Sequence, residues 1–174
     1  MKVLVVVDMQ NDFVDGALGT KEACAIVPDV VKMIEGFDGK IVATRDTHME
    51  NYMDTQEGKH LPVIHCVKGT DGWKINSEIQ KALDEKQAVV IDKPTFGSVE
   101  LGEYVRKLDR EEPVEEILLI GVCTDICVIS NALLLKAYLP EVPVKVAASC
   151  CAGVTPEQHA QALEAMKPCQ IKIV

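Results

Sequence analysis

Short apolar runs rich in valine and isoleucine alternate with longer amphipathic stretches along the whole chain. Runs of this length and β-branched content read as strands. They predict strands over residues 3–8, 40–45, 88–92, 117–122, 144–148 and 170–174. The stretches between them predict helices over residues 21–36, 77–85, 98–108, 125–138 and 156–166. The fourth of these carries an apolar stripe at Ile126, Ile129, Leu133 and Leu134, the spacing of a helix with one buried face. Thr155 followed by Pro156 is a start signal, a capping hydroxyl with proline in the first turn. Continuously apolar strands are buried on both faces. Their alternation with helices predicts an α/β fold, a parallel sheet covered on each side and joined by right-handed crossovers. No repeat or low-complexity segment interrupts the pattern.

In such sheets ligands sit beyond the carboxyl ends of the strands. Asp8 ends the first run, Asp46 follows the second, Lys93 follows the third, and Cys127 comes just after the fourth. Each residue alone is ordinarily a solvated strand end. Four of them brought to one end of one sheet make a candidate site. Residues 47–73 form the long irregular connection of the chain, and connections of that length are commonly functional or mobile.

Composition narrows the field. A chain of 174 residues with 48% hydrophobic content fits one domain, residues 1–174, with a real core. A net charge of −9 argues against a nucleic-acid partner. No apolar run approaches the ~20 residues that span a membrane. The apolar N-terminus runs directly into Asp8, unlike a secretion signal. Seven cysteines without regular spacing then predict free thiols and a cytoplasmic location.

Cys127 lies in Gly121-Val-Cys-Thr-Asp-Ile-Cys127, directly after Ile117-Leu-Leu-Ile120. The expected strand-to-helix turn puts the thiol among free amides and the positive end of a helix dipole, where thiolate is favoured. Thr124 or Asp125 is the expected cap of that helix. A carbonyl attacked there would place its oxyanion among the same amides. The plainer reading of a lone cysteine is a buried structural thiol. Asp8 as base and Lys93 as cationic partner weigh against it, since a thiol needs such help to become a nucleophile. Asp46-Thr-His48, Glu57, His60 and His65 offer carboxylate and imidazole ligands, and three of the four histidines fall within 18 residues. Such ligands suit Zn²⁺, Fe²⁺ or Mn²⁺. Spacing alone leaves a polar loop with solvated histidines as an equal alternative.

Three segments carry a resemblance. Asp8-Met-Gln-Asn-Asp-Phe13 resembles a D-x-Q-x-D-F opening. Lys93-Pro-Thr-Phe-Gly-Ser98 resembles a lysine segment, and Gly121 to Cys127 resembles a G-x-x-T-D-x-C nucleophile segment. Together, in order, they resemble the isochorismatase-like cysteine hydrolase superfamily. Asp46-Thr-His48 and His65-Cys-Val-Lys-Gly-Thr70 look like the metal segments of its nicotinamidase/pyrazinamidase branch. The resemblance implies a three-layer α/β/α sandwich with a six-stranded parallel sheet. It implies an Asp8–Lys93–Cys127 triad, a cis peptide between Val122 and Cys123, and oxyanion-hole amides at Cys123 and Cys127. It also implies a divalent metal, zinc first and iron or manganese next, held by Asp46, His48 and His65. Glu57 is the preferred further ligand and His60 its competitor. Phe13, Phe96 and Val122 are expected to contact the substrate, and Trp73 either lines the pocket or anchors the loop. His159 is assigned no chemistry. The implied reaction takes nicotinamide and water to nicotinate and ammonia through a cysteine thioester, within a homo-oligomer that acts on a small-molecule amide. Alternatives are another small amide or N-carbamoyl substrate, or a non-catalytic binding protein on the same fold. A redox pair of Cys123 and Cys127 is a weaker alternative.

Overall fold

The computed structural model describes residues 1–174. The six apolar runs form parallel strands: β1 (Lys2–Val7), β2 (Lys40–Asp46), β3 (Val89–Lys93), β4 (Glu116–Val122), β5 (Val144–Ala152) and β6 (Ile171–Ile173). They make one sheet in the order β3-β2-β1-β4-β5-β6. The chain winds outward from β1 to β3 and then crosses back to β4. The switch point, where ligand crevices open in sheets of this kind, therefore lies between β1 and β4.

Seven helices accompany the sheet: α1 (Asn11–Val14), α2 (Lys21–Gly36), α3 (Gln56–His60), α4 (Ser77–Glu85), α5 (Val99–Glu111), α6 (Ile129–Tyr138) and α7 (Pro156–Met166). The two-residue alternation of the strands sorts the core into two layers. Val3, Val5, Val7, Ile117 and Leu119 pack with Leu101 and Val105 of α5, Leu135 of α6 and Met166 of α7. Leu4, Val6, Leu118 and Ile120 pack with Ile26, Val30 and Ile34 of α2 and Ile79 and Leu83 of α4. This is the three-layer sandwich expected. Thr20, Ser98 and Thr155 cap α2, α5 and α7 by accepting from the amides of Ala23, Leu101 and Gln158. No helix is long and apolar enough to cross a membrane.

Three differences from the sequence expectation bear on the site. Asp46 and Lys93 are the last residues of β2 and β3, not residues beyond them. The connection after β2 is not wholly irregular, since it contains a 3₁₀ turn at Tyr52–Asp54 and α3. β5 runs to Ala152, and its pairing with β4 shifts register between Leu119, which faces Val146, and Gly121, which faces Cys151. Gly121 is required where it stands. Its φ is +115°, and a Cβ there would come within 2.1 Å of the Val7 carbonyl oxygen on β1.

Candidate active site

Asp8 follows β1 with φ 48°, a left-handed conformation that Asp tolerates better than most residues. Its carboxylate is fully buried, and Oδ1 accepts from the Thr44 hydroxyl of β2 at 2.7 Å. Lys93, also fully buried, reaches Asp8 Oδ2 at 2.8 Å, Asp46 Oδ1 at 3.3 Å, the Thr95 carbonyl at 3.0 Å and Cys127 Sγ at 3.4 Å. The structure thus brings Asp8, Lys93 and Cys127 together at the switch point. Asp8 Oδ2 is ion-paired with Lys93 but makes no hydrogen bond of full geometry.

The charges follow from burial and neighbours. Burial alone would lower the Lys93 pKa, but Asp8, Cys127 and Asp46 outweigh it and hold the ammonium charged. Burial raises the Asp8 pKa, Lys93 pulls it down and Asp46 pushes it up, leaving it above the ordinary carboxylate value. Burial, followed by the Asp8 charge, keeps the Cys127 thiol well above its ordinary value despite Lys93. Desolvation of a residue that is 5% exposed thus acts against the thiolate that the helix amides were expected to favour.

The turn that carries Cys127 also differs from expectation. Residues Thr124–Val128 form a π-helical turn before α6, with Cys123 at the cap position and no side-chain cap. Neither Thr124 nor Asp125 caps it. The Thr124 hydroxyl pairs with His159 Nδ1 at 2.8 Å, and Asp125 Oδ1 accepts from the Val154 amide at 3.0 Å. Both residues tie the turn to the start of α7, which gives His159 a contact the sequence did not disclose. The peptide between Val122 and Cys123 is cis.

Beside this centre, one ligand atom each from Asp46, His48, Glu57 and His65 lie within 4.8 Å of one another. His48 Nε2 is 2.9 Å from Asp46 Oδ2 and 3.5 Å from Glu57 Oε1. His65 Nε2 is 3.8 and 3.7 Å from the same two carboxylates. His65 Nδ1 is engaged by the Val63 carbonyl at 2.7 Å, which leaves Nε2 to face the cluster. His48 Nε2 is buried without a hydrogen bond despite its close contact with Asp46. Two imidazoles and two carboxylates around an orphaned nitrogen suit a divalent transition-metal ion. Burial raises Asp46, yet His48, Lys93 and His65 outweigh it and hold the carboxylate ionised. His60, the last residue of α3, is exposed and outside the group. Tyr52 is edge-on to both imidazoles, with ring centroids 4.7 and 5.0 Å away.

Phe13 lies 5.5 Å from the His65 ring. Phe96 is 45% exposed on the turn after β3, so it is not a core residue. Trp73 stacks under Arg45, with Cζ 3.5 Å from its ring centroid, and donates to Thr47 Oγ1 at 2.9 Å. It anchors the loop. Two residues of the first motif have roles that sequence reasoning missed. Gln10 is fully buried and clamps the Asp46 backbone, donating to its carbonyl at 2.8 Å and accepting from its amide at 2.7 Å. Asp12 Oδ2 accepts from the Cys66 amide at 2.8 Å, next to His65. Their spacing of two and four residues from Asp8 was the available signal.

A switch-point thiol with a buried lysine and aspartate, beside a metal-type cluster, marks a family of α/β hydrolases. The chain belongs to the isochorismatase family, whose isochorismatase domain matches residues 2–174. It is 30% identical over 172 residues to an uncharacterized isochorismatase family protein, PncA, of Bacillus subtilis, covering 93% of this chain and 92% of that one. It is 28% identical over 185 aligned residues to the nicotinamidase/pyrazinamidase of Mycobacterium tuberculosis, covering 100% and 98%. The crystal structure of the Pyrococcus horikoshii pyrazinamidase in complex with zinc matches with a TM-score of 0.80 and 33% identity, covering 99% of this chain and 98% of that one.

Proposed function

We propose that this protein is an amidohydrolase of nicotinamidase type, converting nicotinamide and water to nicotinate and ammonia and also accepting pyrazinamide. One observation carries the reading. A single buried ammonium, Lys93 Nζ, contacts Asp8 at 2.8 Å, Cys127 at 3.4 Å and Asp46 at 3.3 Å, so nucleophile, base and metal-type cluster share one cation. The nicotinamidase and pyrazinamidase relatives support the same reading. The seven free cysteines fit a reducing, cytoplasmic setting.

Asp8 takes the Cys127 proton as the sulfur attacks the amide carbon, and Lys93 stabilises the charges that appear. The amides of Cys123 and Cys127 hold the oxyanion. Asp8 returns the proton to the leaving nitrogen and ammonia departs, leaving a thioester. Asp8 next takes a proton from the attacking water. The thioester C–S bond breaks, nicotinate leaves, and the proton returns to sulfur. Asp46, His48, Glu57 and His65 would hold a divalent ion, zinc before iron or manganese, which supplies a Lewis-acid anchor for the ring nitrogen. Phe13, Phe96 and Val122 line the ring site in this reading.

The test is ammonia release from nicotinamide, pyrazinamide and a panel of small amides and N-carbamoyl compounds, with and without chelator. Turnover of the two pyridine-type amides, lost in chelator and reduced about 10³-fold or more in Cys127→Ala, is the expected result. Activity confined to an N-carbamoyl compound and indifferent to chelator, or ammonia release retained by Cys127→Ala, would overturn it.

A further inference from the structure

Asn131 on α6 is fully buried and bonded through both ends of its amide. Its nitrogen donates to the Cys127 carbonyl at 2.8 Å and to the Phe96 carbonyl at 3.1 Å. Its oxygen accepts from the Ser98 amide at 2.8 Å. Both donors and one acceptor are thus used. The partners belong to two different segments, the nucleophile turn after β4 and the turn after β3. In the sheet, β2 and β1 lie between those strands, so no backbone ladder fixes one turn against the other. The second turn also rests directly on α6, since a Cβ at Gly97 would lie 3.3 Å from the Ser130 carbonyl oxygen. The same turn supplies the Thr95 carbonyl that accepts from Lys93 Nζ at 3.0 Å. Asn131 therefore hydrogen-bonds backbone groups of both the nucleophile turn and the lysine turn, beside Lys93, whose Nζ reaches the Thr95 carbonyl and the Cys127 sulfur.

We propose that Asn131 is a positioning residue that registers the Cys127 turn against the turn bearing Phe96, setting where the aromatic ring stands relative to the sulfur. The proposal rests on Cys127 as nucleophile. Losing the amide leaves the Ser98 N–H without its partner in a buried place and frees the two turns to slide. Small displacements of a reacting group are costly in rate. A residue that merely stabilised α6 would lower thermal stability without altering either turn's chemistry.

Two readouts test this on the zinc-loaded enzyme. One is steady-state kinetics with nicotinamide. The other is the rate at which iodoacetamide alkylates Cys127, followed by mass spectrometry, which needs no substrate. Asn131→Ala should lower kcat/KM roughly tenfold or more and change the alkylation rate several-fold. Its effect on KM should be non-additive with that of Phe96→Ala, since the two would act through one ring position. If Asn131→Ala does not fold, Asn131→Ser, which keeps one donor, is read the same way. A folded variant with a lowered melting temperature but kcat, KM and alkylation rate all within about twofold of the parent overturns the proposal. Failure of the nucleophile assignment is read separately, as turnover retained in Cys127→Ala.

Discussion

Asp46 and Lys93 are register partners at the ends of β2 and β3, and their side chains meet at 3.3 Å. The Asp46 carboxylate thereby faces two ways. Oδ1 lies on the Lys93 ammonium and Oδ2 lies 2.9 Å from His48 Nε2. Sheet register thus sets one carboxylate between the thiol centre and the histidine-bearing loop.

Lys93→Met should be far more damaging than its size suggests. The substitution leaves the Asp8 carboxylate fully buried with its cation gone. Breaking a buried pair in this way costs about 3–5 kcal/mol. Asp8→Asn combined with Lys93→Met should recover part of that loss, although neither variant should turn over substrate. Urea unfolding of the two single variants and the double variant measures the coupling, and additive losses would show that the pair does not act as a unit.

Alkaline pH should destabilise the fold through its buried thiols. Cys151 on β5 is buried, and desolvation raises its pKa from 9.0 to about 12. Below pH 9 both folded and unfolded chains keep this thiol protonated and its contribution is fully present. Above pH 9 only the unfolded chain loses the proton, so stability falls as pH rises toward 12, by at most about 1.4 kcal/mol per pH unit for this group. Cys151→Ala should flatten the decline in melting temperature between pH 9 and 11. A slope identical to the parent's would sink this account.

Much of this was legible in the sequence, for physical reasons that differ by residue. The strands announced themselves because burial on both faces forces continuous apolar runs, as in Ile117-Leu-Leu-Ile120. The rule of strand carboxyl ends then located Asp8, Asp46, Lys93 and Cys127, and the structure brings all four together. The choice between Glu57 and His60 could not be read, because it depends on which face of the five-residue α3 looks inward. The burial that opposes ionisation of Cys127 was not legible, because helix amides are visible in a pattern, whereas desolvation is a property of the packed fold. The roles of Gln10 and Asn131 were missed because what each holds in place is a backbone segment more than thirty residues away, Asp46 for Gln10 and the Phe96–Ser98 turn for Asn131.

Removal of Glu57 should weaken metal binding, and removal of His60 should not. Glu57 Oε1 lies within 3.7 Å of both imidazole Nε2 atoms, while His60 is exposed outside the cluster. After exhaustive chelation and titration with Zn²⁺, His60→Ala should match the parent in stoichiometry and affinity by calorimetry. Glu57→Ala should bind more weakly, losing one charged ligand of four. The opposite ranking would hand the fourth ligand to His60.

Gln10→Ala should reduce metal affinity although Gln10 touches no metal. Its amide closes two hydrogen bonds on the Asp46 backbone and a third, at 2.9 Å, on the Trp73 carbonyl. It thus fixes both the ligand's main chain and the far end of the loop that brings in His48, Glu57 and His65. Losing such an outer support typically costs about 10–100-fold in metal affinity. The Asp46 amide and carbonyl would also be left unsatisfied in a buried place, destabilising the fold by about 1–3 kcal/mol. Gln10→Glu separates the two halves of the clamp, since a carboxylate still accepts from the Asp46 amide but cannot donate to the two carbonyls. Zn²⁺ titration of both variants should therefore rank the parent first, and Gln10→Ala at wild-type affinity would show that β2 alone holds Asp46 in place.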